Sequence, residues 1–497
     1  MGVFLILSSF LSVLLILLFV NSFWKQQKRS RSLPPGPPPL PLLGNPIYVT
    51  RAAACKYYPE LSKKYGPVFT IWKMTEPIVV LCGYEVVKDA LVNHSEEFSG
   101  RPVRPTVEHY TKGYSFMSGS GYWRPFRRFL LTSLRNFGMG KRIMEEIVQE
   151  EAEQLISAMS LTKGKAFNSI GLLGSAVNNI VSSILFGERF EYHDRRLKEL
   201  ILAARRHANS VLSLFHQVCN SFPILMKLPV IRKKLYKDTF DILDFVRKEI
   251  NHHREKVDLT APRDLIDSFL AKIKEEEGNP KTPFNETSIL TLSGSLFAAA
   301  TETTSSTLKF CLSLMTHYPD IQEKVQREID EVIGPQRLPG IMDRAQLPYT
   351  NAVIHECQRV LDLAPIGLYR ATTTDTQFRG FTLPKGTTII PFLSSVLSDP
   401  TQWETPEDFN PGQFLDSKGQ FQANPAFMAF SAGKRACLGE PLARLELFLF
   451  FTTLLQRFTF RLPPGSETQD WKSLKSQKAA LIGTSEFCAV PRSVVSK

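Results

Sequence analysis

Cys437 stands in the run Phe430-Ser431-Ala432-Gly433-Lys434-Arg435-Ala436-Cys437-Leu438-Gly439, with two cations and two glycines within a few residues. A cysteine taken alone is usually a small buried hydrophobe. Here cationic neighbours and the free N–H groups of a predicted helix start would stabilise negative charge on the sulfur, which is what a thiolate ligand needs. Gly433 and Gly439 suit a tight turn and the close approach of a flat group. Two further clusters carry charge. Glu356 and Arg359 lie at i and i+3, neighbours on one helix face. His355-Glu356 would begin a zinc-binding HExxH, but Arg359 occupies the place of the second histidine. The run Ala298-Ala299-Ala300-Thr301-Glu302-Thr303-Thr304-Ser305-Ser306-Thr307 combines poor helix formers with an acid that is costly to bury. It calls for a packing or functional reason; a close helix crossing that admits only small side chains is the plainer alternative.

The first run, followed by Glu440-Pro441-Leu442-Ala443-Arg444, fits FxxGxRxCxG and resembles the haem-binding loop of the cytochrome P-450 superfamily. The resemblance implies that Cys437 is the proximal thiolate of haem iron and the metal ligand. It makes Arg435 a propionate contact and places Phe430 beside the sulfur, with Gly433 in the same loop. A thiolate axial ligand pushes electron density toward iron and favours O–O cleavage over oxygen storage. Ala429 stands where relatives commonly have proline. Glu356-Cys357-Gln358-Arg359 resembles the family's ExxR, a structural pair locked to a meander; in Pro411-Gly412-Gln413-Phe414 the third partner is Gln413, polar and uncharged, where many members have Arg or His. Ala299 to Thr304 resembles AGx[DE]T[TS], in which the acid and threonine relay protons to bound oxygen: Glu302 and Thr303 here. Ala300 replaces the usual glycine and narrows the oxygen groove. Trp123-Arg124-Pro125-Phe126-Arg127 is similar to WxxxR, giving Trp123 and Arg127 as propionate contacts if Pro125 falls in a first helical turn. Arg370, after Leu363-Ala364-Pro365, occupies another propionate position. With LPPGPPPLPLLGN, RNFGMGKR and ELFLFFTTLLQ, the likeness narrows to the vertebrate microsomal second family.

The resemblance therefore implies a haem (iron protoporphyrin IX) monooxygenase that inserts one atom of O2 into an apolar small molecule, a fatty acid, steroid or foreign compound. Electrons would come from NADPH through NADPH-cytochrome reductase, with cytochrome b5 as a further partner. Isomerase or dehydratase chemistry on the same fold, and a membrane-tethered haem sensor or carrier, are the alternatives. The Phe98–Ser120 loop, the Phe215–Phe222 stretch, Phe297, Ala298 and Ala364–Leu368 are expected to line the substrate pocket.

The elements that must position these residues are mostly helical. Apolar spacing from Tyr122 to about Glu276 is that of helices broken at Pro223, Pro229 and Pro262. No proline interrupts the stretch from Thr282-Pro283 to Tyr318-Pro319, which predicts a helix of roughly 50 Å through the core. Helical spacing continues to Leu361, strand-like pieces follow at 377–383 and 387–391, then a Pro/Gly/Asp-rich meander over 399–420 and a last helix over 438–456. Val68–Trp72 and Ile78–Leu81 read as a hairpin split at Glu76-Pro77, and Phe98–Ser120 as a long functional loop. The expected fold is mainly α with a minor β region, the cytochrome P-450 fold, with a long central helix over haem.

Placement of charge and grease completes the reading. No charged residue occurs from Met1 to Trp24, and Val3 to Val20 approaches the roughly 20 apolar residues of a membrane span. Lys25, Lys28, Arg29 and Arg31 follow, so 1–24 is expected to be an uncleaved anchor with the rest on the cytoplasmic face of the endoplasmic reticulum membrane. Residues 25–45 form a basic stop and stiff Pro-rich linker, and 46–497 the catalytic domain. Seven cysteines without a CxxC pair exclude a disulfide scaffold or zinc ribbon. The balance of 60 basic against 48 acidic residues comes without a nucleic-acid motif, which leaves membrane lipid and an acidic protein as partners, no nucleic acid. Arg124, Arg128, Arg135, Lys141, Arg142, Lys434 and Arg444 are candidates for docking an acidic reductase.

Overall fold

The structure, a computed structural model, describes residues 32–48, 50–139, 142–211 and 213–492. The expected span at Met1–Trp24, its basic stop, and Lys141 lie outside the described residues. Among the described residues no helix is long and apolar enough to cross a membrane. Two compact units emerge. One comprises the described part of Met1–Val103 with Ala364–Trp403 and Pro425–Cys437; the other comprises Arg104–Leu363, Glu404–Asn424 and Leu438–Lys497.

The first unit is built on a four-stranded sheet. Strand β1 (Val68–Lys73) pairs antiparallel with β2 (Glu76–Leu81), and β3 (Arg370–Ala371) pairs with β4 (Thr388–Pro391), which runs parallel to β2, giving the order β1-β2-β4-β3. β-Branched and aromatic residues fill β1 and β2 almost without polar interruption, and both strands are largely buried. The hairpin turns at Met74, with φ of 55°, so Glu76-Pro77 opens β2 rather than splitting the pair. Helix α1 (Arg51–Tyr65) starts at Thr50, whose side chain accepts from the Ala53 N–H, and packs Tyr58 edge-on against Phe69 and Phe392. The Pro-rich segment is extended, as its prolines dictate, but it lies along β1 instead of standing free. Thr70 donates its N–H to Pro35 O and its hydroxyl to Pro34 O, and the Asn45 side chain accepts from the Trp72 N–H.

The second unit is helical. Its scaffold for the present purpose is α2 (Trp123–Asn136), α3 (Ile170–Phe186), α4 (Arg195–Val211), α5 (Glu286–His317), α6 (Pro348–Leu361) and α7 (Glu440–Arg457), with a small sheet of Ala166–Phe167, Phe458–Arg461 and Phe487–Pro491. α5 begins at Asn285 rather than at Thr282-Pro283. Asn285 accepts from the Ser288 N–H while Ser288 accepts from the Asn285 N–H, a reciprocal cap, and Phe284 before it and Ile289 after it belong to one apolar cluster. Its 32 residues span about 48 Å. Ile289, Leu292 and Phe297 join one cluster, and Leu308 to Met315 join another around α3, α6 and α7.

The hydroxyl-rich middle of α5 has a local solution. Thr301, Thr303, Ser305 and Thr307 each donate back to the carbonyl four residues earlier, at 2.7 to 2.9 Å, so none needs an outside partner to be buried. Gly294 reflects the plainer expectation of a close crossing: a Cβ there would lie 2.8 Å from Leu243 Cδ2. One sequence expectation is corrected. Residues Pro105–Thr111 are helical within the supposed loop, because proline is tolerated at a helix start and serves there as the first residue. Phe297 is buried and packs against Phe186 and Phe245.

Candidate functional site

In the first unit the Cys437 loop is held shut by short backbone bonds. The Cys437 N–H donates to Phe430 O at 2.9 Å, and Ser431 and Gly433 take positive φ, 62° and 71°. A Cβ on Gly433 would fall 1.7 Å from Leu91 O, so only glycine lets this turn seat itself. Gly439 has no such requirement: its φ is −87° and the space around it is open. α7 begins at Glu440, three residues beyond the cysteine. Cys437 itself is exposed.

Beside this loop, guanidinium groups gather. Arg435 donates to Ser99 O at 2.9 Å, and Arg370 donates to Ser431 Oγ and Arg435 O, both at 3.2 Å. Arg101, missed at the sequence level, donates to Leu368 O at 2.9 Å and to Tyr369 O at 2.5 Å, the two residues before Arg370. All three are buried. Like charges drawn together out of water are stabilised by an anion, and a haem propionate is one. The structure thus brings together Cys437, Phe430, Gly433, Arg435 and Arg370. Lys434 pairs with Glu96, so it is not a free docking charge.

The remaining candidates stand in the second unit. Pro125 is the third residue of α2, so the helix tolerates it, Trp123 is buried and Arg127 half-buried. Arg124, Arg128 and Arg135, spaced by four and seven residues, are exposed along one face of α2. On α5, Ala299 and Thr303 are exposed and Ala300 half-buried while Phe297 and Thr301 are buried, which leaves a narrow uncovered strip of small side chains in mid-helix. Thr303 Oγ donates to Ala299 O at 2.9 Å. The Glu302 carboxyl takes other partners, Ser306 Oγ at 3.3 Å and Arg205 Nε of α4 at 3.5 Å. Burial raises its pKa, against the opposing pull of Arg205. The acid and the threonine hydroxyl therefore do not bond to each other.

Glu356 and Arg359 of α6 form a bidentate pair with both bonds at 2.7 Å and almost no exposure. Arg359 also donates to Pro406 O and Asp408 O, while Glu356 accepts from the Asn410 N–H at 2.8 Å and from Gln413 at 3.4 Å. Gln413 is thus the uncharged third partner, and it anchors the meander by its own bonds to Thr405. His355 adds a link that the rejected zinc motif had hidden. Its Nδ1 donates to Asn351 O at 2.7 Å, so its Nε2 accepts from Arg444 of α7 at 2.6 Å, and Arg444 also pairs with Glu440. This ties α6 to the start of α7 and commits Arg444 internally.

Burial, with Arg444 and Arg344 assisting against the Asn351 bond, pushes His355 down to about 3. The unfolded histidine binds a proton near 6.5, so between pH about 6.5 and about 3 the unfolded chain holds one more proton here, and stability is lost as pH falls through that window. His355→Gln keeps an acceptor for Arg444 but does not titrate. Its unfolding free energy should lose about 1.4 kcal/mol per pH unit of the wild-type slope in that window. Parallel slopes in denaturant titrations from pH 6.5 to 4 would show that His355 is not the group responsible.

The donor set suits haem. Among the described residues no group of metal-binding side chains includes the exposed Cys437 sulfur, which matches a metal carried in its own macrocycle, and the buried arginines match propionates. Comparison with known proteins agrees. The cytochrome P-450 family profile matches residues 34–485. Cytochrome P-450 2C8 of Homo sapiens is 43% identical over 472 residues, 95% of this chain and 96% of that protein. Cytochrome P-450 2A4 of Mus musculus is 46% identical over 455 residues, 91% of each chain, and cytochrome P-450 2B4 of Oryctolagus cuniculus is 43% identical over 468 residues, 94% of each.

Proposed function

Because the chain belongs to the cytochrome P-450 family, and is with it a haem-binding monooxygenase of the oxidoreductase class, we propose that it oxygenates an apolar small molecule at the endoplasmic reticulum membrane, with electrons from NADPH through a reductase. The observation that carries the reading is the exposed Cys437 on a loop that only Gly433 allows, beside the buried Arg101, Arg370 and Arg435. Bound haem supplies the iron at which oxygen is reduced and activated. Cys437 would hold that iron through its sulfur, and the short Cys437 N–H to Phe430 O bond fixes the backbone from which the sulfur is offered. Arg101, Arg370 and Arg435 would hold its propionates, and the family resemblance gives Trp123 and Arg127 the same role. Phe430, half-buried in the same loop, is the aromatic that would pack beside the sulfur.

The exposed Thr303 hydroxyl is the group that presents a proton, since it can release its bond to Ala299 O without leaving a buried carbonyl unpaired in the helix. Glu302 replenishes it. The exposed guanidinium groups of Arg124, Arg128 and Arg135 offer an acidic reductase a basic face whose attraction salt would weaken. Cytochrome b5 fits the same chemistry. The apolar run before Trp24 and the cations after it support anchoring with the described residues on the cytoplasmic side. 1–24, 25–45 and 46–497 remain the division we adopt.

A carbon-monoxide difference spectrum together with NADPH- and reductase-dependent oxygen uptake tests the reading. A carrier consumes no oxygen and an isomerase needs no NADPH. Thr303→Ala should retain the spectrum and substrate binding but divert electrons to peroxide, lowering product per NADPH by roughly a hundredfold. Unchanged coupling would reduce Thr303 to a packing residue.

A further inference from the structure

We propose that His253, Asp264 and Asp267 form a zinc-binding site that clasps the end of the helix Pro229–Lys256 to the start of the helix Leu265–Glu275. The site stands apart from the haem reading, which uses none of these residues.

Among the described residues these three are the one group whose ligand atoms, an imidazole nitrogen and two carboxylate oxygens, all lie within 4.8 Å of one another. His253 and Asp264 have 4% and 2% of their side chains exposed and Asp267 has none. An imidazole with two carboxylates, completed by one water, is a zinc donor set, whereas calcium and magnesium ask for more oxygens and no nitrogen.

The outer atoms of the cluster are already held as a metal site requires. His253 donates from Nδ1 to Glu249 O at 2.7 Å, which fixes the ring and aims Nε2 at Asp264 Oδ2, 2.8 Å away. Asp264 accepts the Asp267 N–H at 2.9 Å on its other oxygen, Oδ1, as the cap of its helix. Asp267 Oδ2 accepts from the Arg263 N–H at 3.2 Å. A histidine that donates its second nitrogen to a carbonyl, beside carboxylates steadied by backbone N–H groups, is the support that orients metal ligands.

Two positive charges occupy the metal position. His253 stands between two acceptors, so both its nitrogens carry protons, and the Arg263 guanidinium spans both Asp267 oxygens at 2.7 and 3.2 Å. One Zn2+ carries the same charge as the Nε2 proton and the guanidinium together. The exchange sends the proton to water and the guanidinium to solvent, and it leaves no carboxylate buried without a cation. Arg263 is free to swing away because its side chain is 53% exposed. A cavity of about 200 Å3, bordered by Gly187, Glu188, His252, Lys256 and Arg263, reaches His253 and Asp264 and gives the ion its way in. Gly187, with φ of 66°, keeps that approach open, since a Cβ there would lie 3.0 Å from Asp264 Oδ2.

The test uses the full-length haem-loaded protein, washed with EDTA and then given zinc chloride. Equilibrium dialysis should find one zinc per chain at micromolar free metal. Zinc-edge X-ray absorption should show nitrogen and oxygen ligands at about 2.0 to 2.2 Å and no sulfur at about 2.3 Å. His253→Gln should weaken binding by more than about a hundredfold, beyond the loss expected for a residue that only supports a ligand. His252→Gln, at the exposed neighbour, should leave binding intact. Arg263→Gln keeps all three ligands and removes the competing cation, so it should tighten zinc about fivefold, the scale of an exposed ion pair. Because Arg263→Gln alters only an exposed side chain, it decides the matter should His253→Gln fail to fold. No zinc at micromolar concentration, zinc held by sulfur, binding retained in folded His253→Gln, equal loss in His252→Gln, or no tightening in Arg263→Gln would each overturn the proposal.

Discussion

Replacing Cys437 by alanine is expected to reduce oxygenation by more than about a hundredfold, since residues that merely orient a metal ligand are often worth up to that much. Cys437→His is the sharper variant. Imidazole can still bind iron, but it is neutral and lacks the thiolate's electron donation. The histidine protein should retain haem and yet lose both turnover and the long-wavelength Soret band of the reduced carbon-monoxide complex. The loop itself should survive either change, because its closure depends on the backbone bond from Cys437 to Phe430 and on Gly433, not on the sulfur. Retention of band and activity in the alanine variant would remove Cys437 from the iron.

The Cys437 cluster was legible because its requirements are local. A turn that admits only glycine, an aromatic and an arginine at fixed offsets all lie within ten residues of chain. The same holds for Glu356 and Arg359, which one helix turn brings together. Arg101 was hidden for the opposite reason. It meets Leu368 and Tyr369 only after β3 has paired back through the Gly100–Ala371 bridge, a contact across more than two hundred residues that no periodicity announces. Arg205 likewise belongs to a helical run that reads as a solvated charged face until α4 packs beside α5. Where sequence reasoning went wrong it gave one residue a single meaning: Pro105 as loop rather than helix start, Arg444 as surface charge rather than partner of His355.

Breaking the Glu356–Arg359 pair should affect the whole unit rather than the chemistry. In Arg359→Leu the Glu356 carboxyl stays in a place with no measurable exposure, keeping only the Asn410 N–H and the long Gln413 bond. Removing one partner of such a buried pair costs about 3 to 5 kcal/mol. Total stabilities are about 5 to 15 kcal/mol, so the variant should unfold many degrees earlier and be recovered largely without haem. The doubly substituted Glu356→Leu/Arg359→Leu separates two causes. If the stranded carboxyl carries the cost, the double variant should recover much of the melting temperature, because no charge is left buried. Arg359 also donates to Pro406 O and Asp408 O, which fasten the meander to α6. If the double variant melts as early as the single one, those two carbonyls account for the loss, and Arg359 holds the meander in place rather than neutralising Glu356.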